Sequence, residues 1–151
     1  MKIESLNVNS IGKFYKRNQL FNYLKKRDAD ILCLVDTRID PSIENTVRNE
    51  WGAECFFSSF SSQKRGIMVL LKKDVAIQIK KIKTDRSGNL LQMLLNFDMQ
   101  DVLLNVLYGP NHDDITFYDD VFSLEDSWQF DHSIYVGDWN LVMDFQKDTL
   151  N

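Results

Sequence analysis

The sequence predicts an α/β (α+β) fold, and three observations lead there. A strand, an amphipathic helix and a wholly apolar second strand follow one another within the first 35 residues. A run of short strands with turn signals between them fills residues 54–108. Several of these predicted strands end in polar side chains, most clearly Ile134-Tyr135-Val136-Gly137-Asp138-Trp139-Asn140. Chemistry in open α/β sheets gathers where strands end in this way.

The elements follow in order. Residues 1–8 alternate, with Ile3, Leu6 and Val8 against Lys2, Glu4 and Asn7, and the strand ends in Asn7-Val8-Asn9-Ser10. Residues 14–28 read as an amphipathic helix, with Leu20, Phe21 and Leu24 on one face, Lys16 and Arg17 elsewhere, and cations in its last turn. Ile31-Leu32-Cys33-Leu34-Val35 is continuous enough to be buried on both faces, and Asp36 closes it. Strand, helix and strand make a right-handed βαβ unit. Residues 41–51 predict a short helix, with Pro41 early and Gly52 past its end.

Strands are then expected over 54–58, 66–71, 75–82, 90–97 and 102–108, with a Ser-rich loop at 58–65 and a turn near Asp85-Arg86-Ser87-Gly88-Asn89. They read as an antiparallel meander added to the parallel unit. Asp113 and Asp114 can cap a helix reaching Trp128, and a last strand at 134–136 leads into Gly137 and Asp138. The tail, 145–151, is polar.

Composition narrows the function. The chain has 151 residues, 44% hydrophobic and 12% aromatic, which suits one packed domain spanning 1–151. A net charge of -4 counts mildly against a dedicated nucleic-acid binder, yet an enzyme using a bound cation can be acidic overall. Two cysteines, Cys33 and Cys55, are too few for a disulfide framework. No stretch is long and apolar enough to span a membrane, and no N-terminal signal is visible, so the expectation is an intracellular protein with no membrane partner.

Asn7, Asp36, the Tyr108-Gly109-Pro110-Asn111 turn, and Asp138 with Asn140 form an oxygen-rich set at strand ends. Such a set suits a hard cation, Mg²⁺ or Mn²⁺, rather than zinc. The series Ser5-Leu6-Asn7-Val8-Asn9, Cys33-Leu34-Val35-Asp36-Thr37-Arg38, Arg65-Gly66-Ile67, Leu107-Tyr108-Gly109-Pro110-Asn111 and Val136-Gly137-Asp138-Trp139-Asn140 resembles the endonuclease/exonuclease/phosphatase superfamily. It is most similar there to the apurinic/apyrimidinic-like endonuclease domain of non-LTR (LINE-type) retrotransposons. Each motif is weak alone, but five in the family's order make a fairly specific match.

The resemblance implies a four-layer α/β/β/α sandwich of the DNase I-like type with mixed sheets, of which this chain corresponds to the N-terminal two thirds. It implies that Asp36 and Asn7 hold the cation, that Tyr108 contacts the scissile phosphate, that Asp138 orients or activates the attacking water, and that Asn140 stabilises transition-state charge. Asn111, Arg38 and Asn9 would face the DNA backbone. The implied activity is metal-assisted hydrolysis of a phosphodiester, nicking DNA, in the nucleus for a retrotransposon enzyme. A reverse transcriptase downstream in the same polyprotein is the implied further partner.

Two departures from the family stand out. Position 36 is Asp where the family usually has Glu, and the chain ends before the family's late Ser-Asp-His segment. Neither His112 nor His132 matches that histidine, and both read as surface residues, so the isolated chain is expected to be impaired.

Simpler readings stand beside these. Asp138 and Asn140 could close a turn, Asn7 could be a turn residue, Asp36 could cap the next segment, and Arg38 could pair with Asp40. Trp139 reads as packing, and the Lys25-Lys26-Arg27 and Lys80-Lys81 with Lys83 groups as solvated faces. The competing functions are a non-catalytic remnant or binding module, and a phosphatase or exonuclease of the same superfamily.

Overall fold

The structure, a computed structural model, describes residues 1–112 and 114–141. Asp113 and the polar tail at 145–151 lie outside the described residues. The strands are β1 (Ile3–Asn7), β2 (Ile31–Val35), β3 (Cys55–Ser58), β4 (Ile67–Leu71), β5 (Gln78–Thr84), β6 (Leu90–Phe97), β7 (Gln100–Tyr108) and β8 (His132–Asp138). The helices are α1 (Phe14–Leu24), α2 (Glu44–Trp51, entered through a 3-10 turn at Pro41–Ile43) and α3 (Ile115–Leu124, leaving through a 3-10 turn at Glu125–Ser127).

The strands form two four-stranded mixed sheets, ordered β1-β2-β4-β3 and β5-β6-β7-β8. This corrects the expectation that the antiparallel strands extend the first parallel pair. Only β4, with β3 beyond it, extends the β1-β2 pair, whereas β5, β6 and β7 form the meander of a separate sheet. Alternating side chains of β2, β4, β6 and β7, such as Cys33, Val69, Met93 and Leu104, meet in the core between the sheets. The other face of the first sheet packs Leu32, Leu34, Met68 and Leu70 against Phe21, Leu24, Val47 and Trp51 of α1 and α2. The outer face of the second sheet packs Leu90 and Leu107 against Val121 of α3. The result is a four-layer α/β/β/α sandwich, in which β2 is buried on both faces as its unbroken apolar sequence requires.

A second βαβ unit sits in the second sheet: β7 and β8 are parallel and joined through α3. Together with β1-α1-β2 it brings four strand C-termini to one edge of the sandwich.

Several boundaries differ from the sequence expectation, each for a local reason. The helix α1 stops at Leu24, so Lys25, Lys26 and Arg27 lie beyond its last turn. In α1, Arg17 is buried, not solvated: its guanidinium donates to both carboxylate oxygens of Glu50 (2.7 and 3.0 Å) and to the carbonyls of Ile11 and Gly12. The strand β5 starts at Gln78, because Lys72 to Val75 closes a turn. A bulge between Ile79 and Lys81 then lets both Ile79 and Ile82 pack on the inter-sheet core, despite their odd spacing. The strand β8 runs from His132 to Asp138, so His132 is in a strand, bonded to Gln100, and Asp138 is a strand residue rather than one beyond it.

Candidate active site

Parallel pairing sets the geometry. Asn7 lies opposite Val35 in the β1–β2 register, and Tyr108 lies opposite Asp138 in the β7–β8 register. Across the two sheets, Asn7 Nδ2 donates a hydrogen bond of 2.9 Å to Asp138 Oδ2. The other oxygen of that carboxylate accepts from the backbone N–H of Asn140 at 3.0 Å. Two donors from opposite sides therefore fix the orientation of Asp138. Asn7 Oδ1 accepts from the Asn9 N–H (3.0 Å), so both ends of that amide are engaged.

Gly137 is what lets Asp138 reach this place. Its φ is +129°, and a Cβ there would run into the Leu107 backbone of β7. The glycine permits the close approach of β8 to β7 that sets Asp138 beside Tyr108, and Gly109 N–H then donates to the Asp138 carbonyl at 2.8 Å. Asn140 has φ +49° and donates through Nδ2 to the Gly109 carbonyl at 2.7 Å, so the two strand ends are laced together.

Asp36 is 5% exposed and receives Arg38 Nε (3.0 Å) and Nη2 (2.9 Å) on its two oxygens. This Asp36 carboxylate holds the Arg38 guanidinium above its ordinary pKa. Both Asp36 (φ 57°) and Arg38 (φ 52°) occupy the left-handed region, as do Asn9, Ser10 and Arg65 nearby. Each such residue costs roughly 1–3 kcal/mol, and strain of this kind gathers at functional sites. The turn is anchored by Thr37 N–H to the Gly66 carbonyl (3.1 Å) and Arg38 N–H to the Arg65 carbonyl (2.8 Å).

Tyr108 closes the floor. Burial pushes its phenol up from the ordinary value, and the carboxylates of Asp36 and Asp138 add to the rise, while Arg38 and the Asn140 side chain oppose it. Beside it runs a cleft of about 270 Å³ lined by Asp36, Arg38, Lys64, Arg65, Asn89 and Tyr108, with 109–112 on its rim.

Of the residues expected from sequence, Asn7, Asp138, Asn140 and Tyr108 meet at one corner, and Asp36, Arg38 and Asn111 share the adjoining cleft with Tyr108. Asn9 does not line the cleft; its carbonyl accepts from Lys16 Nζ (2.7 Å) and its N–H turns back to Asn7. Arg38 pairs with Asp36, while Asp40 instead caps Ser42. Trp139 packs, stacked on Tyr118 at 5.8 Å. Lys64, Arg65 and Asn89 were not singled out as site residues from sequence. The available signal was a Lys-Arg pair just before a glycine that follows a Ser-rich loop.

Among the described residues no group of three or more His, Cys, Asp or Glu side chains converges as a ready-made metal site. The donors at this edge are the carboxylates of Asp36 and Asp138 and the amide of Asn7. That set fits a hard cation held by one or two carboxylates, with water and substrate oxygens completing its shell. At present a guanidinium fills the cationic place against Asp36.

No protein-family model matches the chain. Solved structures do. D. rerio TDP2 complexed with a single-strand DNA product matches with a TM-score of 0.70 and 18% identity, over 99% of this chain and 64% of that one. The fold is DNase I-like. An AP endonuclease from Archaeoglobus fulgidus matches at TM-score 0.66 and 19% identity (95% of this chain, 59% of that one). The 3' phosphatase NExo from Neisseria, bound to a product DNA hairpin, matches at 0.65 and 19% (97% and 63%). This chain therefore spans about three fifths to two thirds of the length of these DNase I-like proteins.

Proposed function

We propose that this chain carries the strand-end half of a divalent-cation-dependent phosphodiesterase site, acting on DNA as a nicking endonuclease of the LINE retrotransposon type. The observation that carries this reading is the Asn7–Asp138 hydrogen bond, which joins the ends of parallel strands from two sheets beside Tyr108 and Asp36. The Asp-Thr-Arg and Tyr-Gly-Pro-Asn motifs support the retrotransposon assignment. The neighbours described with DNA support a nucleic-acid substrate. A reverse transcriptase in the same polyprotein and a nuclear place of action belong to the same reading.

Asp36 and Asn7 would hold a Mg²⁺ or Mn²⁺, which when bound would supply Lewis-acid polarisation of a phosphate oxygen. The chain's own groups do the rest. Asp138, held by Asn7 and the Asn140 N–H, accepts the proton of the attacking water. Tyr108, kept protonated by its surroundings, donates to a phosphate oxygen. Asn140 offers its amide to developing charge, and Arg38, Lys64 and Arg65 hold the backbone on either side.

One observation favours a second reading, a nucleic-acid-binding module without cleavage: Arg38 takes both oxygens of Asp36. Incubation of the chain with supercoiled plasmid separates the two. Weak nicking that requires Mg²⁺ or Mn²⁺ and stops in a chelator is expected. Bound but uncut plasmid would support the second reading, and cleavage that persists in chelator would overturn the cation-dependent one.

A further inference from the structure

The loop between β3 and β4 sets an exposed aromatic ring, which the reaction itself does not use, beside two cations of the cleft. Phe60 is 39% exposed, with Arg65 4.7 Å and Lys64 5.4 Å from its ring centroid. Lys64 and Arg65 also line the cleft that contains Asp36 and Tyr108. Among the described residues neither makes an ion pair. The other cation–aromatic pairs lie away from this cleft: Trp128 under Lys81 and Lys83 and Trp51 under Lys25 have buried rings, Phe57 under Arg48 is half-buried, and the exposed Tyr23 sits beside Arg27, whose guanidinium is taken by Glu4.

The loop is also pre-organised. Ser61 Oγ accepts from the Gln63 and Lys64 N–H groups (3.3 and 3.2 Å), and the Arg65 and Gly66 carbonyls take the Arg38 and Thr37 N–H groups. Gly66 N–H in turn donates to the Gly88 carbonyl (3.2 Å). The loop backbone that carries the cations is thus fixed relative to the Asp36 turn, which lowers the ordering left to be done on binding.

Resting on the proposed phosphodiesterase reading, we infer that Phe60, Lys64 and Arg65 form a subsite for an unpaired nucleotide flanking the cut. Lys64 and Arg65 hold its phosphate, and Phe60 stacks on its base. Phosphate contacts alone are blind to pairing, but a base inside a duplex has no free face for an aromatic ring. The ring therefore makes the subsite selective for a strand that is frayed, gapped or single-stranded next to the cleaved bond.

Fluorescence anisotropy in chelator, where no strand is cut, tests this with a duplex and with the same duplex carrying a short unpaired tract. The unpaired substrate is expected to bind roughly fivefold tighter or more, the lower end of what one stacked base contributes. Phe60→Ala should erase that difference and Phe60→Trp should keep it. Lys64→Gln and Arg65→Gln should weaken both substrates and each lower the salt dependence by about one phosphate contact. No preference in the unaltered chain, or a preference that survives Phe60→Ala, overturns the inference. If cation-dependent nicking persists in that case, the phosphodiesterase reading stands without it. If the chain neither binds nor nicks DNA, both fall.

Discussion

Asp36 and Arg38 show how much can rest on two side chains. The guanidinium occupies the place a cation needs, so removing it should favour the cation: Arg38→Gln is expected to raise Mn²⁺ affinity by roughly fivefold, about the worth of a partly exposed ion pair. Calorimetric titration of Mn²⁺ reads this directly, and unchanged or weaker binding would show that the pair does not compete with a cation. Tyr108 gives a pH signature. Its phenol is raised in the folded state above the ordinary value of about 10. The fold therefore holds that proton more tightly than the unfolded chain does. Its contribution to stability is complete below about pH 10 and is lost as pH climbs through the folded value. Urea midpoints taken from neutral to alkaline pH should fall less steeply in Tyr108→Phe than in the unaltered chain. The chemical identity of these residues was readable in the sequence, since strand-end carboxylates and amides stand out. Their left-handed backbone angles were not: Asp and Asn visit that region more often than most residues but mostly lie outside it, and Arg carries no mark of it.

Strands and helices turn these residues into a site through two βαβ units. The first was legible, because β1, α1 and β2 are adjacent and β2 is apolar throughout. The second was not, because a short half-buried β8 looks the same whether it pairs in parallel or antiparallel. Gly137 is the hinge of that second unit. Gly137→Ala puts a Cβ into the Leu107 backbone at a φ of +129° and should destabilise the fold by roughly 3 kcal/mol, read as a lowered urea midpoint. A stability equal to that of the unaltered chain would mean that β8 does not approach β7 as described. On α1, Arg17 ties the loop after Asn7 to Glu50 of α2. Arg17→Ala leaves Glu50 and two carbonyls without their partner and is expected to cost about 3 kcal/mol, a melting point lower by roughly 6–12 °C. Helical periodicity placed Arg17 on the polar side of α1; only the tertiary contact with Glu50 shows why it is buried.

The whole sandwich depends on pairings between residues far apart in sequence. Alternation showed that the strands from 54 to 108 have an inner and an outer face, but not which sheet each joins: β4 pairs with β2 across more than thirty residues, while β5 pairs with its neighbour β6. The inter-sheet core then forces both sets of strand ends to one edge. No helix among the described residues is long and apolar enough to cross a membrane. Cys33 and Cys55 are both buried within the layers, and burial pushes the Cys33 thiol up to about 12, so neither is poised for thiolate chemistry. What joins the layers chemically is Asp138, held from the first sheet by Asn7 and from its own strand end by Asn140. The decisive measurement is the rate of cation-dependent plasmid nicking by Asp138→Asn, with Asp131→Asn, a carboxylate at the opposite end of β8, as control. A loss of roughly 10²–10³-fold confined to Asp138→Asn is the predicted result. Equal rates in the two variants would contradict the assignment of the site.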